Sequence, residues 1–172
     1  MVKDMYSKEY SEMIPVFFGI QFSTIRSLDH KVEKSIKAEP YFMLDLPIPN
    51  KPSPSLLECI DLYIEDEKMC GENAWYNDKT KQKEDVLKTL QFWSLPSILI
   101  IDLKRFNKIN FRKNDCYVDI PLSPIDLSKY VIGYQKESYV YELYGICNHS
   151  GNVMGGHYTA NVKTKNGWYH FN

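Results

Sequence analysis

Long apolar runs are missing from this chain of 172 residues. No stretch approaches the ~18 consecutive apolar residues that cross a bilayer as a helix. The start, Met1-Val2-Lys3-Asp4, does not lead into the apolar core of a secretion signal. These absences predict an intracellular protein, cytoplasmic or nuclear, with no membrane partner. Cysteine is also scarce. Cys59, Cys70, Cys116 and Cys147 form no Cys-x-x-Cys pair, and without a secretory signal reduced thiols are expected rather than a disulfide framework. Charge of one sign is lacking too. A net charge of -1 with a pI near 6.4 leaves no basic excess for nucleic acid.

What is present is apolar and aromatic matter, 44% and 14% of residues, enough for one sizeable core. The pattern is mostly β. Residues 1–14 are polar with scattered apolar positions and predict no element. Short β-prone runs at 16–25 and 31–36 flank Ser27-Leu28-Asp29-His30, as in a hairpin. Residues 41–46 predict a strand closed by Pro47 and Pro49. Ser53-Pro54-Ser55 then offers an N-cap with a proline at the first helical position, before Leu56, Leu57, Ile60, Tyr63 and Ile64 on one helical face.

Further strands are predicted at 74–76 and 86–92, joined by a charged loop at 77–85. Ser97-Ile98-Leu99-Ile100-Ile101 reads as a central strand covered on both faces. A polar loop at 107–115 and a weak segment at 127–132 follow. Strands at 140–146 and 158–162 flank a glycine loop, and Asn166-Gly167 signals a type I′ turn before the last strand. No internal repeat and no low-complexity linker interrupts this order. Many antiparallel strands with one clear helix give an α+β class.

The chemistry concentrates at the end. Cys147-Asn148-His149-Ser150-Gly151-Asn152-Val153-Met154-Gly155-Gly156-His157-Tyr158-Thr159-Ala160 places two histidines around a glycine-rich segment. Glycine lets another backbone come close, so Gly155-Gly156 predicts that His157 stands beside a narrow channel. A side chain on either glycine would narrow it. Histidine suits proton transfer near neutrality and needs a third group to fix its tautomer. Trp168-Tyr169-His170-Phe171-Asn172 reads as the strand that brings that group, Asn172. Spacing alone favours the plainer reading, a β-hairpin with a surface histidine in its loop.

Tyr141-Glu142-Leu143-Tyr144-Gly145, Gly156-His157-Tyr158-Thr159-Ala160 and Trp168-Tyr169-His170-Phe171-Asn172 resemble, in order, the histidine box of the ubiquitin-specific proteases, a family of cysteine deubiquitinases. Phe18-Gly19-Ile20-Gln21-Phe22-Ser23, Glu39-Pro40-Tyr41-Phe42-Met43-Leu44, Trp93-Ser94-Leu95-Pro96 through Lys104-Arg105-Phe106, and Asp126-Leu127-Ser128-Lys129-Tyr130 extend the likeness. The resemblance implies the mainly antiparallel fingers and palm of a hand-like, papain-like protease fold. Residues 1–14 would be a ragged lead-in. Residues 15–172 would be a partial catalytic domain, 15–95 mainly fingers and 96–172 mainly palm. It also implies His157 as general base and Asn172 as its orienter. His149, Gly155, Gly156 and Tyr158 would line the channel for ubiquitin's tail, with 107–115 and 150–156 as the loops closing over it. Ubiquitin and ubiquitinated proteins would be the partners, with no cofactor.

The sequence departs from that family in two places. The Asn-x-Gly-Asn-Thr-Cys type of segment that brings the nucleophile on the thumb does not occur, so the thumb is expected to be missing and the isolated chain inactive. Cys147 is near His149 in sequence, but the base the resemblance implies, His157, lies across the glycine loop, which argues against Cys147 as nucleophile. The places of the family's zinc knuckles read Ser27-Leu28-Asp29-His30 and Asn77-Asp78-Lys79-Thr80, whose hydroxyl and amide oxygens replace thiolate poorly, so no metal is expected. Lys104 and Arg105 are expected to be solvated cations at a strand end, His30 an exposed turn residue, and Trp75, Trp93 and Trp168 core. A non-catalytic ubiquitin-binding or scaffold module derived from such a protease is the alternative function.

Overall fold

The computed structural model describes residues 11–107, 109–134 and 139–172. Residues 1–10 of the expected lead-in lie outside them. Pro15, which cannot donate a backbone hydrogen bond, sits at the start of a short helix, α1 (Ile14–Phe17), so Val16 and Phe17 are helical rather than part of the first strand. That strand is β1 (Gly19–Ser27). It pairs antiparallel with β2 (Glu33–Tyr41) around the expected turn, where exposed His30 adopts φ 60. β3 (Met43–Leu46) follows.

α2 (Leu56–Ile64) starts two residues later than the proline suggested. Ser53 takes a positive φ of 49, and Ser55 is the N-cap. Its hydroxyl accepts from the Glu58 backbone N–H, while the Glu58 carboxylate accepts from the Ser55 N–H at 2.8 Å. This reciprocal pairing satisfies two otherwise orphaned donors and outweighs the preference of proline for the first helical position. The buried face carries Leu56, Cys59 and Ile60, and Tyr63 stacks on Phe92 with the rings 9° from parallel.

After β4 (Glu67–Met69), the charged segment is itself a hairpin. β5 (Trp75–Asn77) pairs with β6 (Gln82–Glu84), while β7 (Val86–Ser94) joins β1 and β4 in a sheet of order β2-β1-β7-β4. The expected pairing of 74–76 with 86–92 is therefore replaced by two separate sheets. β8 (Ile100–Leu103) starts later than expected, is not fully buried and, among the described residues, pairs in parallel with β3 alone. Pro96 cannot donate to a ladder, and Ile98 gives its N–H to the Val16 carbonyl instead of a neighbouring strand.

The core gathers where α2, β3 and β7 meet the 127–131 segment. Leu44, Leu46, Cys59, Ile60, Phe92, Leu127 and Val131 are almost wholly buried. Each such aliphatic or aromatic side chain contributes about 1.5–3 kcal/mol by leaving water. The weak segment holds a 3-10 turn, Ser128–Tyr130, whose Tyr130 hydroxyl donates to Asp61 on α2 at 2.8 Å.

Two small hairpin systems flank this core. β9 (Phe106–Asn107) pairs with β10 (Arg112–Lys113) inside the expected polar loop. β11 (Ile125–Asp126) pairs with β12 (Val140–Tyr141). The chain then forms a three-stranded sheet of β13 (Gly145–Asn152), β14 (Gly155–Thr164) and β15 (Gly167–Phe171) in sequence order. The predicted strand at 140–146 is thus split between β12 and β13. Strand pairing also runs through most of the glycine segment, leaving only Val153 and Met154 as its turn. At the second turn, positive φ falls on Gly167 alone and on neither Lys165 nor Asn166, so it is not type I′.

Candidate functional site

The register of the last sheet decides which side chains share a face. Ser150 pairs with His157 and His149 with Tyr158, and alternation sends neighbouring side chains to opposite faces. His157, Thr159 and Asn161 therefore project on one side, with Ser150 from β13 and His170 from β15. His149, Tyr158, Ala160 and Cys147 project on the other. Cys147, opposite Ala160 in the register, is thereby on the far side of the sheet from His157.

On the first face, His157 Nε2 is in hydrogen-bond contact with Asn172 Oδ1. An amide oxygen only accepts, so Nε2 carries the proton and Nδ1 keeps the lone pair that a base needs. The predicted pair is brought together by β14 and the end of β15. Further along that face His170 Nδ1 lies 2.9 Å from Asn161 Oδ1, a second imidazole–amide pair that sequence reading did not single out. Among the described residues no thiol is in hydrogen-bond contact with His157: Cys59 is buried in α2, and Cys116 Sγ donates to the Lys51 carbonyl at 3.4 Å.

On the second face, the other predicted residues line an open groove of about 320 Å³ with Phe106 and Met154. The His149 ring lies between Phe106, at 5.3 Å, and Tyr158, at 4.6 Å. Its Nδ1 is buried and has no partner among the described residues. Gly156 fits directly against this ring, whereas a Cβ on Gly155 would meet nothing within 4 Å. Only Gly156, of the two, has no room for a side chain. The structure thus separates the predicted set into the His157–Asn172 pair on one face and a groove on the other, joined at the Gly155–Gly156 end of β14.

Two residues that sequence reading treated as solvated or core, Arg105 and Trp168, behave otherwise. Arg105 is not a solvated cation: its guanidinium donates to the Asn114 and Cys116 carbonyls at 3.0 and 2.7 Å, clamping the base of the β9–β10 hairpin. Lys104 does face solvent, beside Asp45 at 3.5 Å. Trp168 is exposed rather than core, as are Tyr169 and Phe171 on the same strand, because the last sheet has no buried residue at all among those described. Trp93 packs between Phe22 and Tyr134.

No group of three or more His, Cys, Asp or Glu side chains among the described residues converges as a metal-ligand set. At the first knuckle place His30 Nδ1 faces Asp66 at 3.6 Å. At the second, Asn77 and Thr80 donate to the Glu84 carboxylate at 2.7 and 2.8 Å, and Lys34 pairs with its other oxygen. Among the described residues no helix is long and apolar enough to cross a membrane.

The family model described as ubiquitin carboxyl-terminal hydrolase matches residues 3–172. The chain belongs to that family. Ubiquitin carboxyl-terminal hydrolase 9 of Arabidopsis thaliana is 40% identical over 121 residues, covering 68% of this chain and 13% of its own length. Ubiquitin carboxyl-terminal hydrolase 15 of Homo sapiens is 37% identical over 127 residues, covering 72% and 13%. A solved chain of the SAGA Ubp8/Sgf11/Sus1/Sgf73 DUB module bound to ubiquitin aldehyde superposes with a TM-score of 0.76 at 29% identity, covering 96% of this chain and 38% of that one. The chain therefore spans about an eighth of the length of these curated hydrolase relatives. Its mainly antiparallel α+β architecture is that of the ubiquitin-specific protease fingers and palm.

Proposed function

We propose that this chain is the fingers and palm of a ubiquitin-specific protease, 15–95 mainly fingers and 96–172 mainly palm, and that it supplies the general base and its orienting amide for hydrolysis of the isopeptide bond after ubiquitin's terminal glycine. The observation that carries this reading is the His157–Asn172 contact, which leaves Nδ1 of His157 free to take a proton. A thiol delivered to that nitrogen loses its proton to it, and the thiolate attacks the scissile carbonyl. The imidazolium then protonates the departing lysine amine, and water hydrolyses the acyl-enzyme. The thiol would come from a cysteine outside this chain. The exposed aromatic residues of β15 give such a partner segment an apolar surface to pack on.

Ubiquitin is the partner in this reading, its Gly-Gly tail entering the groove of His149, Gly155, Gly156 and Tyr158. A non-catalytic ubiquitin-binding module is the second reading, favoured by the absence of a thiol in contact with His157 among the described residues. Two measurements test these readings. Titration of the chain with ubiquitin should perturb backbone amides of the groove and of 15–95; a flat titration would sink both. A ubiquitin probe with a thiol-reactive C-terminus should label no cysteine of the isolated chain, and labelling of Cys147 would overturn the assignment of the nucleophile. Cleavage of a ubiquitin–lysine isopeptide on adding a cysteine-bearing thumb from a relative supports the protease reading. Binding without cleavage in that mixture supports the module.

A further inference from the structure

The ammonium of Lys113, on the β9–β10 hairpin, lies against the β13–β14 hairpin. It belongs to a segment whose polarity predicts solvated side chains, yet its own side chain is only 10% exposed. A lysine ammonium has three protons and accepts nothing. Three oxygens meet it: Asp115 Oδ1 at 2.9 Å, the His149 carbonyl at 2.9 Å and the Gly151 carbonyl at 3.4 Å. The first belongs to its own segment and the other two to β13. A charge so shielded from water is retained only where its protons are used and an opposite charge is near, and both conditions hold.

The two carbonyls explain why a donor is needed there. Among the described residues β13 is the edge of its sheet, paired with β14 alone. Oxygens two residues apart on such an edge face outward together, where no strand supplies N–H groups. Lys113 takes the place of that missing strand. The same two hairpins also touch through the rings of Phe106 and His149, and both rings line the groove. Gly151, one of the capped residues, pairs with Gly156, which directly precedes His157.

We propose that Lys113 is a positioning residue of the groove: by capping the outer edge of β13 it fixes the separation of Phe106 from His149 and Gly156, and so the width available to an extended peptide backbone. The inference rests on the reading of the groove as the channel for ubiquitin's Gly-Gly tail. It assigns Lys113 no contact with substrate.

The test compares the 172-residue chain with Lys113→Met, which keeps the apolar stem, and with Lys113→Arg, which keeps donors. In the parent chain a slowly exchanging ammonium signal from Lys113 and a nuclear Overhauser contact between the Phe106 and His149 rings are expected. Lys113→Met should lose both and bind a synthetic peptide with ubiquitin's C-terminal sequence about tenfold more weakly. Lys113→Arg should recover the ring contact and most of the affinity. Signals of Phe92 and Tyr63 report that the remote core is intact. Asp115→Asn is the milder second variant should Lys113→Met unfold, and it should weaken the same ring contact. A parent that binds the peptide and a Lys113→Met that binds it equally, with the ring contact kept, overturns this proposal alone. A parent that ignores the peptide overturns the reading of the groove as tail channel, and with it the positioning role of Lys113.

Discussion

Gly156 and His149 stand so close across the β13–β14 hairpin that a Cβ on Gly156 would lie 2.2 Å from His149 Nε2 and 2.3 Å from the Ser150 backbone oxygen. A ring can turn aside, but a strand carbonyl held in a ladder cannot. Gly156→Ala should therefore cost about 1–3 kcal/mol, as overpacking does, and lower the melting temperature measurably. Gly155→Ala meets open space and should stay within about 0.5 kcal/mol of the parent. Equal melting curves for the two variants would defeat the packing argument. Gly156→Val, larger still, is expected to disturb the hairpin itself and not only the channel.

Glu84 gathers Lys34 from β2, Asn77 from β5 and Thr80 from the turn between β5 and β6. Lys34 first, then Thr80 and Asn77, hold its carboxyl down to about 2 from an ordinary value of 4.5. A carboxyl whose folded value is depressed stabilises the fold above its unfolded value and loses that contribution as pH falls through the folded one. The chain should thus lose melting temperature between about pH 4.5 and pH 2. Glu84→Gln should be less stable at neutral pH and show a shallower loss on acidification. A chelator should change neither protein, because hydrogen bonds and an ion pair hold the β5–β6 hairpin. Parallel acid-melting profiles of parent and Glu84→Gln would remove Glu84 from that role.

The capping box at Ser55 and Glu58 is a third check on the fold. Ser55→Ala removes the oxygen that accepts from the Glu58 N–H and should cost about 1 kcal/mol in thermal unfolding. Ser53→Ala, by contrast, should be close to neutral. If Ser53→Ala proved the costlier of the two, the helix would start where the sequence alone suggested.

Why the sequence announced some of this and not the rest follows from range. Leu56, Ile60, Tyr63 and Ile64 declare α2 because helical periodicity is local, and the Ser27–His30 turn declares the β1–β2 hairpin for the same reason. Partner choice among strands is not local. β7 could not be seen to prefer β1 over the nearer β5, and Ile100 could not show that its only strand neighbour would be β3 in parallel. At the site, the motif legible in the sequence brings His157, on β14, to Asn172, just past the end of β15. The β13–β14 register then decided that Tyr158 and His149 share the opposite face. Lys113 and Arg105 were illegible because a cation in a polar loop or at a strand end looks solvated until the backbone carbonyls that surround it are known.

The last prediction concerns the His157–Asn172 contact itself. With Asn172 accepting from Nε2, nitrogen-15 spectra of the chain should show His157 as the Nε2–H tautomer. Asn172→Ala should release it into a mixture of tautomers. In the domain reconstituted with a cysteine-bearing thumb, His157→Ala should lower turnover by about 10²–10⁴-fold, the usual worth of a general base. Asn172→Ala should cost about 10–100-fold, as loss of an orienting partner does. Neither should change ubiquitin affinity, because both groups act on the thiol and not on the body of the substrate. Near-normal turnover in His157→Ala would mean that the proton leaves the thiol by another route. The catalytic reading of β14 would then have to be given up, even with ubiquitin still bound.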